Sequence, residues 1–220
     1  GYGAPEMVSS FQTVPGIENV WKVCCGCYHT AVVLTNGTLW MSGYKRSGQL
    51  GLGEDAHEVV KSFQTIPEID NARQVSCGLY HTAVVQEDGA LWVAGRNGCG
   101  QLGLGHTNNV SKFVPVPGIK DAREVSCGHY YTAVVLGDGT LLVTGDNIKG
   151  QLGLAHDAYK VFSFVPVPGI KDAQGVSCGG FHTAVVLGDE TLLVAGNNYS
   201  GQLGLGHDAP EKALSFVPVP

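Results

Sequence analysis

Apolar residues in this chain come in short runs, not at helical spacing, and the third of four such stretches is the clearest. There Arg123-Glu124-Val125-Ser126-Cys127-Gly128, Tyr131-Thr132-Ala133-Val134-Val135-Leu136 and Leu141-Leu142-Val143-Thr144-Gly145 each predict a strand. Near-continuous Val and Leu, in place of strict alternation, predicts strands covered on both faces. Gly137-Asp138-Gly139-Thr140 predicts a tight hairpin with a primed turn, since Asp-Gly readily takes positive φ. Lys112-Phe113-Val114-Pro115-Val116-Pro117 is a fourth extended run, and its prolines keep it out of a central position. Glycine is too frequent, and helical periodicity too absent, for helices.

The pattern repeats. Gly48-Gln49-Leu50-Gly51 recurs around Gln101, Gln151 and Gln202, and the four glutamines stand 52, 50 and 51 positions apart. A period near fifty, filled with short strands, predicts small sheets stacked face to face around an axis. The expected fold is all-β: β-propeller blades of about 51 residues, four complete repeats in one domain over 1–220. The repeats run approximately 1–53, 54–105, 106–155 and 156–206, with 207–220 starting a further one. Each Gly-Gln-Leu-Gly reads as the corner at a blade boundary. The hairpin turns elsewhere are Thr35-Asn36-Gly37-Thr38 and Glu87-Asp88-Gly89-Ala90, whereas Asp189-Glu190 replaces the glycine and predicts a different or strained turn. Residues 1–15 and 206–220 align without gaps and match at eight places, Phe11 with Phe216 among them. Ends in phase are expected of a piece cut from a longer array, its raw blade faces covered by more of the same polypeptide or by another copy.

Composition narrows the function classes. A net charge of −6 supplies no basic field, which disfavours nucleic acid as a partner. No run of eighteen apolar residues exists, so no membrane span is expected, and no charged-then-apolar leader opens the chain. Cys25, Cys77, Cys127 and Cys178 hold one repeat position, which predicts small buried thiols a blade apart in a reducing compartment. Cys24, Cys25, Cys27 and His29 resemble half of a metal site, but no second half follows, so no metal is expected.

No catalytic constellation is present. Gly-Gln-Leu-Gly-Leu-Gly resembles a dinucleotide fingerprint only superficially, because an extended proline-containing segment follows where a helix is needed. His106, His156 and His207 read as exposed loop residues. One position is aromatic in every unit: Tyr28, Tyr80, Tyr130 and Phe181. Each ring can bury about 150–250 Å², so four left exposed would form a patch of roughly 600–1,000 Å². They are therefore either tucked between blades or part of a partner surface. The residues before each Gly-Gln-Leu-Gly vary most, and Tyr44, Arg46, Arg96, Asp146, Ile148 and Tyr199 join the aromatics as candidate partner contacts.

The string Val75-Ser76-Cys77-Gly78-Leu79-Tyr80-His81-Thr82-Ala83-Val84-Val85, with Asp88-Gly89 and Gly100-Gln101-Leu102-Gly103-Leu104-Gly105 behind it, resembles the repeat of the regulator of chromosome condensation family. The resemblance covers essentially the whole chain. It implies a β-propeller, in that family usually of seven blades, of which this chain would hold part. The family's histidine appears as His29, His81 and His182, with Tyr131 in the third repeat, and reads as hydrogen-bonded within its own blade. The tryptophan usual before the glycine of the last strand is replaced by Ser42, Ala94, Thr144 and Ala195.

The family's founding member is a nucleotide-exchange factor with a wedge-like insertion and a basic tail, and the even periods here leave no room for such a wedge. Its plant ultraviolet-B photoreceptor carries Gly-Trp-Arg-His-Thr, where this chain has GCYHT, GLYHT, GHYYT and GGFHT. The function expected is therefore a non-enzymatic, cofactor-free module presenting loops to a protein partner, inside the cell, in cytoplasm or nucleus. The alternative is a guanine-nucleotide exchange factor for a small GTPase, or a chromatin-associated regulator, whose decisive parts lie outside this chain.

Overall fold

The computed structural model describes residues 10–53, 58–155 and 158–220. Their regular elements are strands, in four antiparallel four-stranded sheets that follow chain order. Blade 1 holds β1 (Val20–Cys25), β2 (His29–Leu34), β3 (Leu39–Tyr44) and β4 (Val59–Thr65). Blade 2 holds β5 (Ala72–Cys77), β6 (His81–Gln86), β7 (Leu91–Gly95) and β8 (Val110–Pro115). Blade 3 holds β9 (Ala122–Cys127), β10 (Tyr131–Leu136), β11 (Leu141–Asp146) and β12 (Lys160–Pro166). Blade 4 holds β13 (Ala173–Cys178), β14 (His182–Leu187), β15 (Leu192–Asn197) and β16 (Lys212–Pro218). No helix among the described residues is long and apolar enough to cross a membrane.

The innermost strands β1, β5, β9 and β13 adjoin one another around the axis. The second strands supply the packed faces: β6 is buried along its whole length, because blades cover it on both sides. The end blades are covered on one side only, and Trp21, Val23, Val186 and Leu192 are exposed there. The core accordingly lies between blades. Ala31, Val33, Leu39, Met41 and Leu50 of blade 1 pack with Val75, Val84 and Phe113 of blade 2, and like clusters fill the next two interfaces. Prolines sit where the sequence places them, at the ends of the outer strands β8, β12 and β16.

Three expectations are corrected. Gly-Gln-Leu-Gly does not close a blade: residues 48–51 lie between β3 and β4 of one sheet. The loop instead grips the outer strand of the next blade. Leu50 is fully buried, Leu52 bridges to Lys112, and a Cβ on Gly51 (φ +69°) would collide with the Phe113 ring. The hairpins do not use primed turns either. Only Gly37, Gly89 and Gly139 take positive φ, whereas a primed turn with Asp-Gly needs two such residues. The preceding Asp helps hold the loop: Asp88 Oδ1 accepts from Ala90 N–H, and Asp138 Oδ1 from Thr140 N–H, each at 2.9 Å. The fourth hairpin keeps this turn, so Glu190 itself is driven to φ +68° and the loop is strained, not different. Finally, the repeated cysteines are not uniformly buried. Cys77 and Cys127 are buried, but Cys178 is half-buried and Cys25 exposed, because no blade lies against that side of β1.

Candidate functional site

The family histidine explains how one face of the stack is built. His29 Nε2 meets the Thr82 hydroxyl at 2.9 Å, and His81 Nε2 meets Thr132 at 3.0 Å. Each threonine donates onward to a main-chain carbonyl of the Gly-Gln-Leu-Gly loop, Gln49 or Gln101, at 2.7 Å. Since the threonine proton is used there, the histidine nitrogen must be the donor. The histidine therefore bonds the neighbouring blade, not its own as the sequence suggested. Tyr131 takes the histidine's place between blades 3 and 4: its phenol oxygen lies 3.0 Å from the Thr183 hydroxyl, which donates to the Gln151 carbonyl at 2.7 Å. Burial pulls His29 down to about 4 and His81 down to about 3, so both are neutral near pH 7. The glycine after each repeated cysteine makes room for this ring. A Cβ on Gly78 would overlap the His81 imidazole, and one on Gly128 would overlap the Tyr131 ring.

With the histidine turned inward, the residue before it is turned out. The four aromatics are neither tucked between blades nor dispersed over the surface. They form a row at one end of the blades, in which Tyr28 stacks directly on Tyr80 and the other rungs are joined through Arg96 and His129. Tyr28 and Tyr80 are parallel, 5.5 Å apart with 12° between planes, and Tyr44 tilts onto Tyr28 at 6.2 Å. The Arg96 guanidinium lies 5.8 Å from the Tyr80 ring centre and 5.6 Å from that of Tyr130. His129 continues the row, edge-on to Tyr130 at 6.4 Å and to Phe181 at 5.1 Å. Tyr44, Tyr28, Tyr80, Arg96, Tyr130, His129 and Phe181 thus form one ladder across all four blades. Tyr28 is 56% exposed, Arg96 is exposed, and Tyr80, Tyr130 and Phe181 are half-exposed. A cation over aromatic faces contributes roughly 0.5–1 kcal/mol at an exposed site. The ladder borders an axial depression of about 270 Å³ lined by Cys25, Cys77, Cys127, Cys178 and the glycines beside them.

The other candidate residues lie outside the ladder. Arg46 pairs with Glu58 at 3.7 Å, both on the surface. Asp146 is buried and accepts a bond from Gln151 Nε2 at 2.8 Å, a structural duty. Ile148 and Tyr199 are exposed, and Tyr199 borders a separate hollow with Lys149 and Glu211. His129 is a rung that the sequence reading misses. Its signal is the variable residue before each aromatic, which is Cys27, Leu79, His129 and Gly180. Gly180 is what admits His129, since a Cβ there would stand 2.8 Å from the imidazole.

The suspected metal half-site disperses. His29 turns to Thr82, Cys24 turns to Cys77, and Cys25 and Cys27 are exposed. Among the described residues no three His, Cys, Asp or Glu side chains converge as a metal site. His106 and His207 are exposed, and His156 lies outside the described residues.

The family described as the regulator of chromosome condensation (RCC1) repeat matches residues 36–85, 88–135 and 138–186. A second description of the same repeat matches 72–101 and 173–202. The X-linked retinitis pigmentosa GTPase regulator homolog of Caenorhabditis elegans is 32% identical over 198 residues, 90% of this chain and 11% of that protein. The mouse X-linked retinitis pigmentosa GTPase regulator is 34% identical over 110 residues, 49% of this chain and 11% of its own length. These alignments take in about a tenth of each curated relative. The crystal structure of human WBSCR16 superposes with a TM-score of 0.82 at 25% identity, covering 91% of this chain and 52% of that one.

Proposed function

This chain belongs to the regulator of chromosome condensation repeat family, and from that membership we propose that it is a non-enzymatic interaction module, part of a larger propeller, that presents its ladder end to a protein partner. The ladder is the observation that carries this reading. Interface hot spots are rich in Tyr and Arg, and here both are held by stacking before a partner arrives, which lowers the ordering cost of binding. Arg96 takes part in no ion pair among the described residues, so its guanidinium is available to a partner's carboxylate. Free thiols suit an intracellular setting, cytoplasmic or nuclear. The remaining blades of the ring, seven in the family's usual form, would cover the open faces of blades 1 and 4. Crosslinking in cells tests the reading. A photoreactive residue at Tyr44, on the ladder, is expected to capture a partner that the same group at Asp138, on the opposite end, does not. Capture from Asp138 alone would contradict it.

A second reading has one observation in its favour, the description of two relatives as GTPase regulators. It makes the partner a small GTPase. Accelerated nucleotide release from a member of a GTPase panel would support it, and unchanged release across the panel would remove it.

A further inference from the structure

Neighbouring innermost strands share a serine–cysteine contact, and one interface departs from it. Between blades 2 and 3 the Ser76 hydroxyl accepts the Cys127 N–H at 2.9 Å, and the Cys127 thiol reaches the Ser76 carbonyl at 3.5 Å. Between blades 3 and 4 Ser126 and Cys178 repeat this at 2.9 and 3.3 Å. Between blades 1 and 2 Cys24 takes the serine's place. Its sulfur accepts the Cys77 N–H at 3.2 Å, and the Cys77 thiol lies 3.7 Å from the Cys24 carbonyl. Two cysteines therefore bond across a blade interface, each sulfur to the other's main chain, where the other interfaces pair a cysteine with a serine.

The two are also unlike in reactivity. Burial pushes the Cys127 thiol up, and Cys178 up to about 11. Cys24 moves the other way, well below the ordinary thiol range, chiefly because the Cys77 thiol hydrogen-bonds to it, with nearby Lys22 adding to the effect. Cys24 is half-buried, within reach of a small oxidant, whereas Cys77 is buried behind it. An accessible thiolate backed by a second thiol is the arrangement of an attacking and a resolving cysteine.

We propose that Cys24 and Cys77 are a hydroperoxide-reactive pair that closes to a reducible disulfide, stapling blade 1 to blade 2. The Cys24 thiolate attacks the outer peroxide oxygen. An S–O bond forms, the O–O bond breaks, and the departing oxygen leaves as water or alcohol after taking a proton. Cys77 sulfur then displaces the hydroxyl of the sulfenic acid. The S–S bond forms, the S–O bond breaks, and the Cys77 proton leaves with the hydroxyl as water. One peroxide is reduced by two electrons and two thiols are oxidised. A dithiol reverses the bond by exchange.

Hydrogen peroxide on the folded protein, followed by intact mass and non-reducing peptide mapping, tests this. The wild type and a Cys25→Ser/Cys27→Ser variant are expected to lose two hydrogens, to map a Cys24–Cys77 link, and to unfold at a higher temperature until dithiothreitol is added. Cys24→Ser installs the residue that the other three innermost strands carry at Ser76, Ser126 and Ser177, so its interface is retained. It is expected to lose the link and the shift in unfolding temperature. A crosslink that persists in Cys24→Ser, one through Cys25 or Cys27, or oxygen addition without any crosslink would overturn the proposal.

Discussion

His81 of blade 2 donates to the Thr132 hydroxyl of blade 3 at 3.0 Å, from a fully buried, neutral imidazole. Acid should therefore loosen the stack. The folded pKa values, about 3 for His81 and about 4 for His29, lie below the unfolded value near 6.5, so the unfolded chain takes up protons first as pH falls. The stability these histidines confer is intact above pH 6.5 and declines from there toward pH 4, by up to about 1.4 kcal/mol per pH unit for each. Denaturation midpoints between pH 7 and 5 measure the slope. His81→Tyr, which copies the third repeat's Tyr131, is expected to reduce it.

Thr132 serves two partners at once, accepting from His81 and donating to the Gln101 carbonyl at 2.7 Å. Thr132→Val keeps the shape and strands both. A buried group left unpaired costs about 1–3 kcal/mol, so a loss of roughly 2–6 kcal/mol in denaturant unfolding is expected for the two. Thr132→Ser should recover most of it.

Glu190 occupies the left-handed position that Gly37, Gly89 and Gly139 hold in the other hairpins. Left-handed backbone costs a side-chain-bearing residue about 1–2 kcal/mol. Glu190→Gly is expected to stabilise blade 4 by about 1 kcal/mol, read as a raised unfolding midpoint. Gly51→Ala is expected to do the reverse, by roughly 2–4 kcal/mol, since it combines left-handed strain with a clash against the Phe113 ring.

Much of this is legible in the sequence, for identifiable reasons. Alternation is lost when both faces are buried, so apolar runs such as Ala83-Val84-Val85 announce stacked sheets. Prolines announce the outer strands. What a single repeat cannot show is which neighbour a side chain touches. His29 reads as bonded within its own blade because its partner Thr82 lies 53 positions away. The Gly-Gln-Leu-Gly loop reads as a boundary because its grip on the next outer strand is equally distant. The ladder is largely visible: the repeated aromatics mark its rungs and the variable loops offer Tyr44 and Arg96, but His129 comes from a variable position that periodicity does not flag.

The claim that the ladder is the binding surface is tested most directly by Tyr80→Ala/Tyr130→Ala, read for both stability and retention of the crosslinked partner. Stacking of this kind contributes about 0.5–1.5 kcal/mol per pair, so the variant should stay folded, while removal of two hot-spot rings weakens binding by about tenfold or more, roughly 1.4 kcal/mol at least. A variant that loses stability yet retains the partner at wild-type affinity would contradict the account.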